Sequence, residues 1–391
     1  MAPMLSSRSD FDLEPHPLAA AAHRLRQAGK PVWDLTNTNP TRVGLAYPAA
    51  AIREAPSRAD PLRYDPHPAG LEPARAAVAE IYRHRSTPAD PEDLILAPGT
   101  SDAYAWLFKL LADPGDCVLV PRPSYPLFSY LARLESVRTV SYPLHWVQEW
   151  SVDLEEVRSL AAHHRPRAIL LVHPNNPTGS YVKAFEWRFL EEIADRQGCA
   201  LVCDEVFYDF PLEAGSRFDP AGRNDVPAFI LNGISKMLSL PQLKLAWILL
   251  RGPSRFREAV RHRLELIADT FLSVNSVTQN ALPDLLRLRS DLVAMTRSRC
   301  LENLQQLRSL TAGSPVQPLP VEGGWSAVLR IPATSPDVEV AQRLLETAGV
   351  LVHPGEFFEF AEAGRLVISL LPAPDEFRTG LQRLLQCISS T

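Results

Sequence analysis

Six short apolar runs dictate what this chain can become. They read LILAP (94–98), CVLVP (117–121), AILLV (168–172), ALVCD (200–204), AFILN (228–232) and LAWILL (245–250). None alternates polar with apolar residues. Runs of this length without alternation are strands buried on both faces, as in a parallel sheet covered by helices. Helix-forming stretches lie between them, at 99–115, 153–164, 184–197 and 254–267. The alternation predicts an α/β domain over residues 46–274, with right-handed crossovers placing helices on both faces.

The texture changes past residue 275. Residues 283–311 are long, helical and arginine-rich. Strand-like segments at 324–332 and in VLVHPG and RLVISLL then mix with helices in VEVAQRLLETAG and DEFRTGLQRLLQCI. This is an α+β pattern. With a helix at 17–29, it predicts a smaller second domain built from residues 1–45 and 275–391. A chain of 391 residues is too long for one small core.

Composition narrows the partners. The chain is 46% hydrophobic and 22% charged, with a net charge of -5. That balance suits a globular protein and offers nucleic acid no basic surface. No apolar stretch is long enough to span a bilayer. The N-terminal segment lacks the basic start and apolar centre of a signal peptide. Five cysteines form no Cys-x-x-Cys pair, which predicts reduced thiols and a cytoplasmic setting. No His/Cys/Asp cluster has metal-ligand spacing.

Basic charge is supplied almost wholly by arginine. There are only five lysines, and two of them, Lys236 and Lys244, lie eight residues apart in one apolar stretch. Lysine can lose its proton when desolvated and attack an aldehyde, whereas arginine cannot. The plain alternative is two amines reaching water from a strand end.

Ligands of open α/β sheets bind beyond the carboxyl ends of the strands. The residues that follow the predicted strands are Gly99-Thr100-Ser101, Pro123-Ser124-Tyr125-Pro126, His173 to Gly179, Asp204-Glu205 and Ser235-Lys236. Each could be only a turn. All five falling on one edge is harder to explain that way. Gly99-Thr100-Ser101 opens a helix, where free N–H groups and the dipole suit a phosphate. Asp204 ends an apolar strand, where a carboxylate needs a cation or hydrogen bonds.

These segments, in this order, resemble the class I/II pyridoxal-phosphate aminotransferases of fold type I, from about residue 32 to 385. The match runs through DLTNTNPT (34–41), Tyr64 to Leu71, Ala97 to Ser101, Asp113 to Asp116 and Pro123 to Pro126. It continues through Asn175-Asn176-Pro177-Thr178-Gly179, Asp204-Glu205-Val206 and Ser235-Lys236. The resemblance implies a large domain with a mostly parallel, seven-stranded type of sheet. It implies pyridoxal 5'-phosphate as cofactor, linked to Lys236 through an imine, with Lys236 also moving the substrate proton. Asp204 would pair with the pyridinium nitrogen, Asn176 with the ring oxygen, and Tyr125 would stack on the ring. Gly99, Thr100, Ser101, Ser235 and Lys244 would hold the phosphate. Tyr64 would reach the phosphate of a neighbouring subunit, implying a homodimer with shared sites. Asn37 and Thr38 match a loop lining the substrate site.

Three positions depart from the family pattern. Phe207 stands where the family usually has tyrosine, so the ring oxygen loses a donor and the imine is expected to stay protonated to higher pH. Lys244 stands where arginine is usual. The arginine that grips the substrate carboxylate aligns with Val367, leaving Arg365, two residues earlier on the same strand face, either as the carboxylate fork from a displaced position or as a surface strand residue. The implied reaction moves an amino group between an L-amino acid and a 2-oxo acid by a ping-pong mechanism. A lyase acting by β-elimination on the same scaffold is the alternative. A cofactor-binding regulator without turnover would call for a DNA-binding module ahead of the match, and about thirty residues are too few for one.

Overall fold

The computed structural model describes residues 4–57, 64, 66–215, 217–272 and 274–389. Asp65, within the tyrosine segment, and residues 1–3 lie outside them.

The six apolar runs become six strands of an eight-stranded sheet. In spatial order the sheet runs Leu94–Ala97, Ala246–Arg251, Ala228–Gly233, Ala200–Asp204, Ala168–Val172, Cys117–Arg122, Arg138–Trp146 and Trp150–Val152. The central pairs are parallel. Alternate residues feed two apolar layers. Leu119, Ile169, Leu201, Ile230 and Leu249 join helices Glu72–His84 and Ala184–Gln197 on one face. Val118, Leu170, Val202, Phe229 and Ile248 join Thr100–Leu111, Leu127–Leu134 and Ser254–Phe271 on the other. Each such side chain, fully buried, contributes about 1.5–3 kcal/mol.

The mostly parallel sheet expected from the sequence is present, with one strand more than the seven-stranded type and one strand reversed. The sheet has eight strands, because Arg138–Trp146 folds back as a hairpin onto Trp150–Val152. Most of Arg138–Trp146 is only partly buried, so its sequence carries no apolar run. In addition, Ala246–Arg251 runs antiparallel to both of its neighbours. Its amino end, not its carboxyl end, therefore lies at the edge where the other strands finish.

A four-stranded antiparallel sheet carries Gln317–Pro318, Ser326–Arg330, Arg365–Ser369 and His353–Pro354. Trp33–Asp34 pairs with Val350–Leu351 in a separate two-stranded sheet. A third core joins Leu18, Ala22 and Leu35 to Leu304, Leu366 and Phe377, so the two ends of the chain share one apolar cluster. The expected long helix is two helices, Ser276–Arg287 and Arg289–Thr311. Ala281, Leu282, Leu285 and Leu292, from these two helices, pack in the large-sheet core.

Candidate active site

Lys236 sits on a one-turn helix, Ile234–Met237, directly after the strand Ala228–Gly233. That turn is pinned by the Ile234 N–H donating to the Leu245 carbonyl at 3.0 Å. The Lys236 Nζ lies 5.7 Å from the centre of the Phe207 ring and 5.3 Å from that of Trp325. Burial lowers its pKa, the positive charge of Lys244 lowers it further, and Asp204 opposes both. The amine is thus eased toward its uncharged, nucleophilic form. Lys244 approaches because the antiparallel strand begins at this edge, with Ala246 opposite Gly233.

Asp204 is the last residue of its strand and is buried. Its Oδ1 accepts from the Val206 N–H at 3.0 Å and its Oδ2 from the Tyr104 hydroxyl at 3.1 Å. Among the described residues no cation forms an ion pair with it. Burial pushes its pKa from 3.8 up to about 6, against the pull of those two donors and of Lys236. A buried carboxylate that lacks a counter-ion suits a cationic ring nitrogen.

Next along the chain, Glu205 is fully buried and held by Arg85, whose two terminal nitrogens donate at 2.7 and 3.1 Å. Arg85 also donates from Nε to Asp219 at 2.9 Å and lies 3.7 Å from the centre of the Tyr208 ring. This network packs Tyr208 against Arg85 and leaves Phe207 beside Lys236. It satisfies the cost of burying a second carboxylate next to Asp204.

The Asn175–Gly179 loop is tied down from both sides. Asn175 Nδ2 donates to the Pro123 carbonyl at 3.1 Å and to Thr178 Oγ1 at 3.0 Å, and Ser124 Oγ donates to Asn175 Oδ1 at 3.3 Å. Tyr125 follows, half exposed. Asn176 Oδ1 accepts from Ser326 Oγ at 3.3 Å, which links this loop to the smaller sheet. His173 is held neutral: Nδ1 accepts from the Val182 N–H at 3.0 Å, leaving Nε2 to donate to the Phe218 carbonyl at 3.1 Å. Burial drops its pKa to about 3, so the ring stays uncharged near neutrality.

Gly99 opens the helix Thr100–Leu111 with no side-chain cap, and Gly233 does the same for the Lys236 turn. At the Gly99 start the leading N–H groups are left for a ligand or water, whereas at the Gly233 start the first of them, that of Ile234, is already taken by the Leu245 carbonyl. Asn37 and Thr38 follow Leu35, whose carbonyl accepts from the Ser369 N–H at 2.6 Å; this places their loop beside the end of that strand. Tyr64 is 74% exposed.

Arg365 is not brought to this group. Its guanidinium forms an ion pair with Glu362 and donates to the carbonyls of Ala363 and Gly364 at 3.4 and 3.2 Å. It pairs in register with Arg330, at the far end of the strand from the Ser369–Ser326 pair that abuts Asn176. Val367 packs with Val328, Trp150, Leu319 and Phe358. Arg365 and Val367 do share a strand face, but three residues of strand lie between Arg365 and Ser369. Tyr104 and Ser326 were missed. Tyr104 carried a usable signal, since it lies one helical turn after Thr100.

The chain matches the model of the family described as aminotransferase class I and II over residues 36–384. It is 26% identical over 311 residues to tyrosine aminotransferase of Mus musculus, covering 77% of this chain and 68% of that protein. It is 30% identical over 228 residues to the S-alkyl-thiohydroximate lyase SUR1 of Arabidopsis thaliana, covering 56% of this chain and 48% of that one. Alanine aminotransferase from Pyrococcus furiosus superposes with a TM-score of 0.91 at 23% identity, over 99% of this chain and 100% of the other. A lysine turn, a buried aspartate and an asparagine loop gathered on one sheet edge, in a chain that the family model spans almost end to end, make this an enzyme of the class I and II aminotransferase family.

Proposed function

We propose that the chain moves an amino group from an L-amino acid to a 2-oxo acid in two half-reactions, donor first and acceptor second. Pyridoxal 5'-phosphate held at this sheet edge would supply, when bound, an aldehyde and an electron-accepting ring. The observation that carries the reading is Lys236, its amine depressed by burial, on the same sheet edge as Asp204, a buried carboxylate with no ion pair among the described residues.

The first-turn N–H groups of Thr100 and Ser101, together with Ser235 and Lys244, fit the phosphate. Asp204 fits the ring nitrogen, Asn176 the ring oxygen, and Tyr125 a ring face. Lys236 fits the aldehyde, and its freed amine would then carry the proton between the substrate Cα and the cofactor carbon that bore the aldehyde. Phe207 and Trp325 flank its amine and keep water from it. We read residues 46–274 as the large domain and the remainder as a small one, with the site where Ser326 meets Asn176. Tyr64, exposed in the single chain, is assigned to the site of a second copy in a homodimer. The four buried cysteines, Cys117, Cys199, Cys203 and Cys300, form no disulfide and fit a reducing cytoplasm.

The purified enzyme is mixed with a panel of amino acids and 2-oxoglutarate. Loss of both partners, abolished by Lys236→Ala, is the expected outcome. Borohydride should bleach the yellow protein and tag the peptide that contains Lys236. A tag elsewhere overturns the assignment. The similarity to a lyase gives β-elimination a defined signature: ammonia and pyruvate released from a sulfur amino acid with no acceptor present.

A further inference from the structure

Tyr104 sits on the helix Thr100–Leu111 and is 2% exposed. Its ring is wedged by Phe128 at 5.3 Å, edge-on, and by Phe108 at 6.2 Å. A buried hydroxyl needs a partner. Among the described residues the partner of this one is Asp204 Oδ2, at 3.1 Å. The Val206 N–H holds the other oxygen at 3.0 Å. With one donor on each oxygen the carboxylate cannot swing about its Cβ–Cγ bond, and its charge is favoured over its protonated form. The same helix begins at Gly99 with an uncapped first turn, and Tyr104 stands about 6 Å further along its axis than Thr100.

We propose that Tyr104 is a positioning residue for the cofactor. Resting on the reading given under Proposed function, it fixes Asp204 as an oriented anion for the ring nitrogen. It does so from the helix whose first turn takes the phosphate. One rigid element then sets the separation between the two ends of the cofactor's grip. The plain alternative is a tyrosine that only satisfies a buried carboxylate. That role would alter stability but would not distinguish ligands with and without a ring nitrogen.

The test uses the full chain, stripped of cofactor and titrated with pyridoxal 5'-phosphate or with its 1-deaza analogue, in which C–H replaces the ring nitrogen. Tyr104→Phe removes one oxygen and keeps the ring packing. It should weaken pyridoxal phosphate roughly tenfold, the scale of a hydrogen bond to a charged group. Binding of the deaza analogue should stay within about twofold, because only the nitrogen reads Asp204. In an Asp204→Asn background, Tyr104→Phe should cost nothing further. Equal losses for both ligands, no loss for either, or additive losses in the double variant overturn the proposal. If the unmutated chain takes up neither ligand, the cofactor reading itself fails, and that outcome is distinct from the others.

Discussion

At the scale of the residue, Asp204 converts a structural cost into a capacity to bind. Its pKa rises from 3.8 to about 6 on burial. An acid whose pKa is higher folded than unfolded holds its proton more tightly in the native state. Its contribution therefore falls as pH climbs from about 4 to about 6 and stays lower above that. Asp204→Asn removes the ionisation, and the Tyr104 hydroxyl can turn to suit the amide. Cofactor-free Asp204→Asn should gain on the order of 3 kcal/mol on wild type at pH 8 and nothing at pH 4. Denaturant titrations of both proteins at the two pH values check this; an equal difference at both would show that the aspartate is not ionising. Sequence alone exposed the aspartate, since a carboxylate ending an apolar strand is anomalous. Tyr104 shows only in its spacing, one helical turn after Thr100, because a tyrosine among Ala, Trp, Leu and Phe otherwise reads as ordinary helix core. Arg365 misled for the opposite reason: alternation reports which face a side chain takes, not how far along the strand a ligand sits.

At the scale of the element, the asparagine loop depends on a close backbone approach. Gly179 has φ +72°, and a Cβ there would stand 2.6 Å from the Gly323 carbonyl oxygen and 2.7 Å from Val321 Cγ1. The Gly323 N–H also donates to the Gly179 carbonyl at 2.9 Å. Gly179→Ala should cost roughly 1–3 kcal/mol from crowding alone, with left-handed strain added. It should also loosen cofactor binding by displacing Asn176. A shifted urea midpoint together with weaker cofactor uptake is the expected pair; unchanged uptake would uncouple the loop from the site. Strand identity was legible wherever both faces are buried, because only apolar residues tolerate that. Strand direction was not. Nothing in LAWILL distinguishes an antiparallel neighbour from a parallel one, although that reversal is what carries Lys244 to Lys236.

At the scale of the whole molecule, Tyr64, Leu266, Phe271 and Leu272 are all more than half exposed in the single chain. Tyr64 and Leu272 line one common cavity. A second copy covering this surface would bury them and bring the partner's tyrosine to the phosphate. Sedimentation equilibrium should return twice the 43.4 kDa chain mass. Tyr64→Phe should weaken cofactor binding without dissociating the assembly. A monomer that is fully active would remove the shared-site assignment. The strand order has a further consequence, for biosynthesis. Leu94 pairs with Leu249, so an edge strand made early waits for a partner made late. At roughly 5–20 residues per second, that delay lasts on the order of ten seconds. During it a nascent chain exposes an unsatisfied apolar ribbon, and ribosomes stalled before codon 246 would release fragments that need chaperone capture.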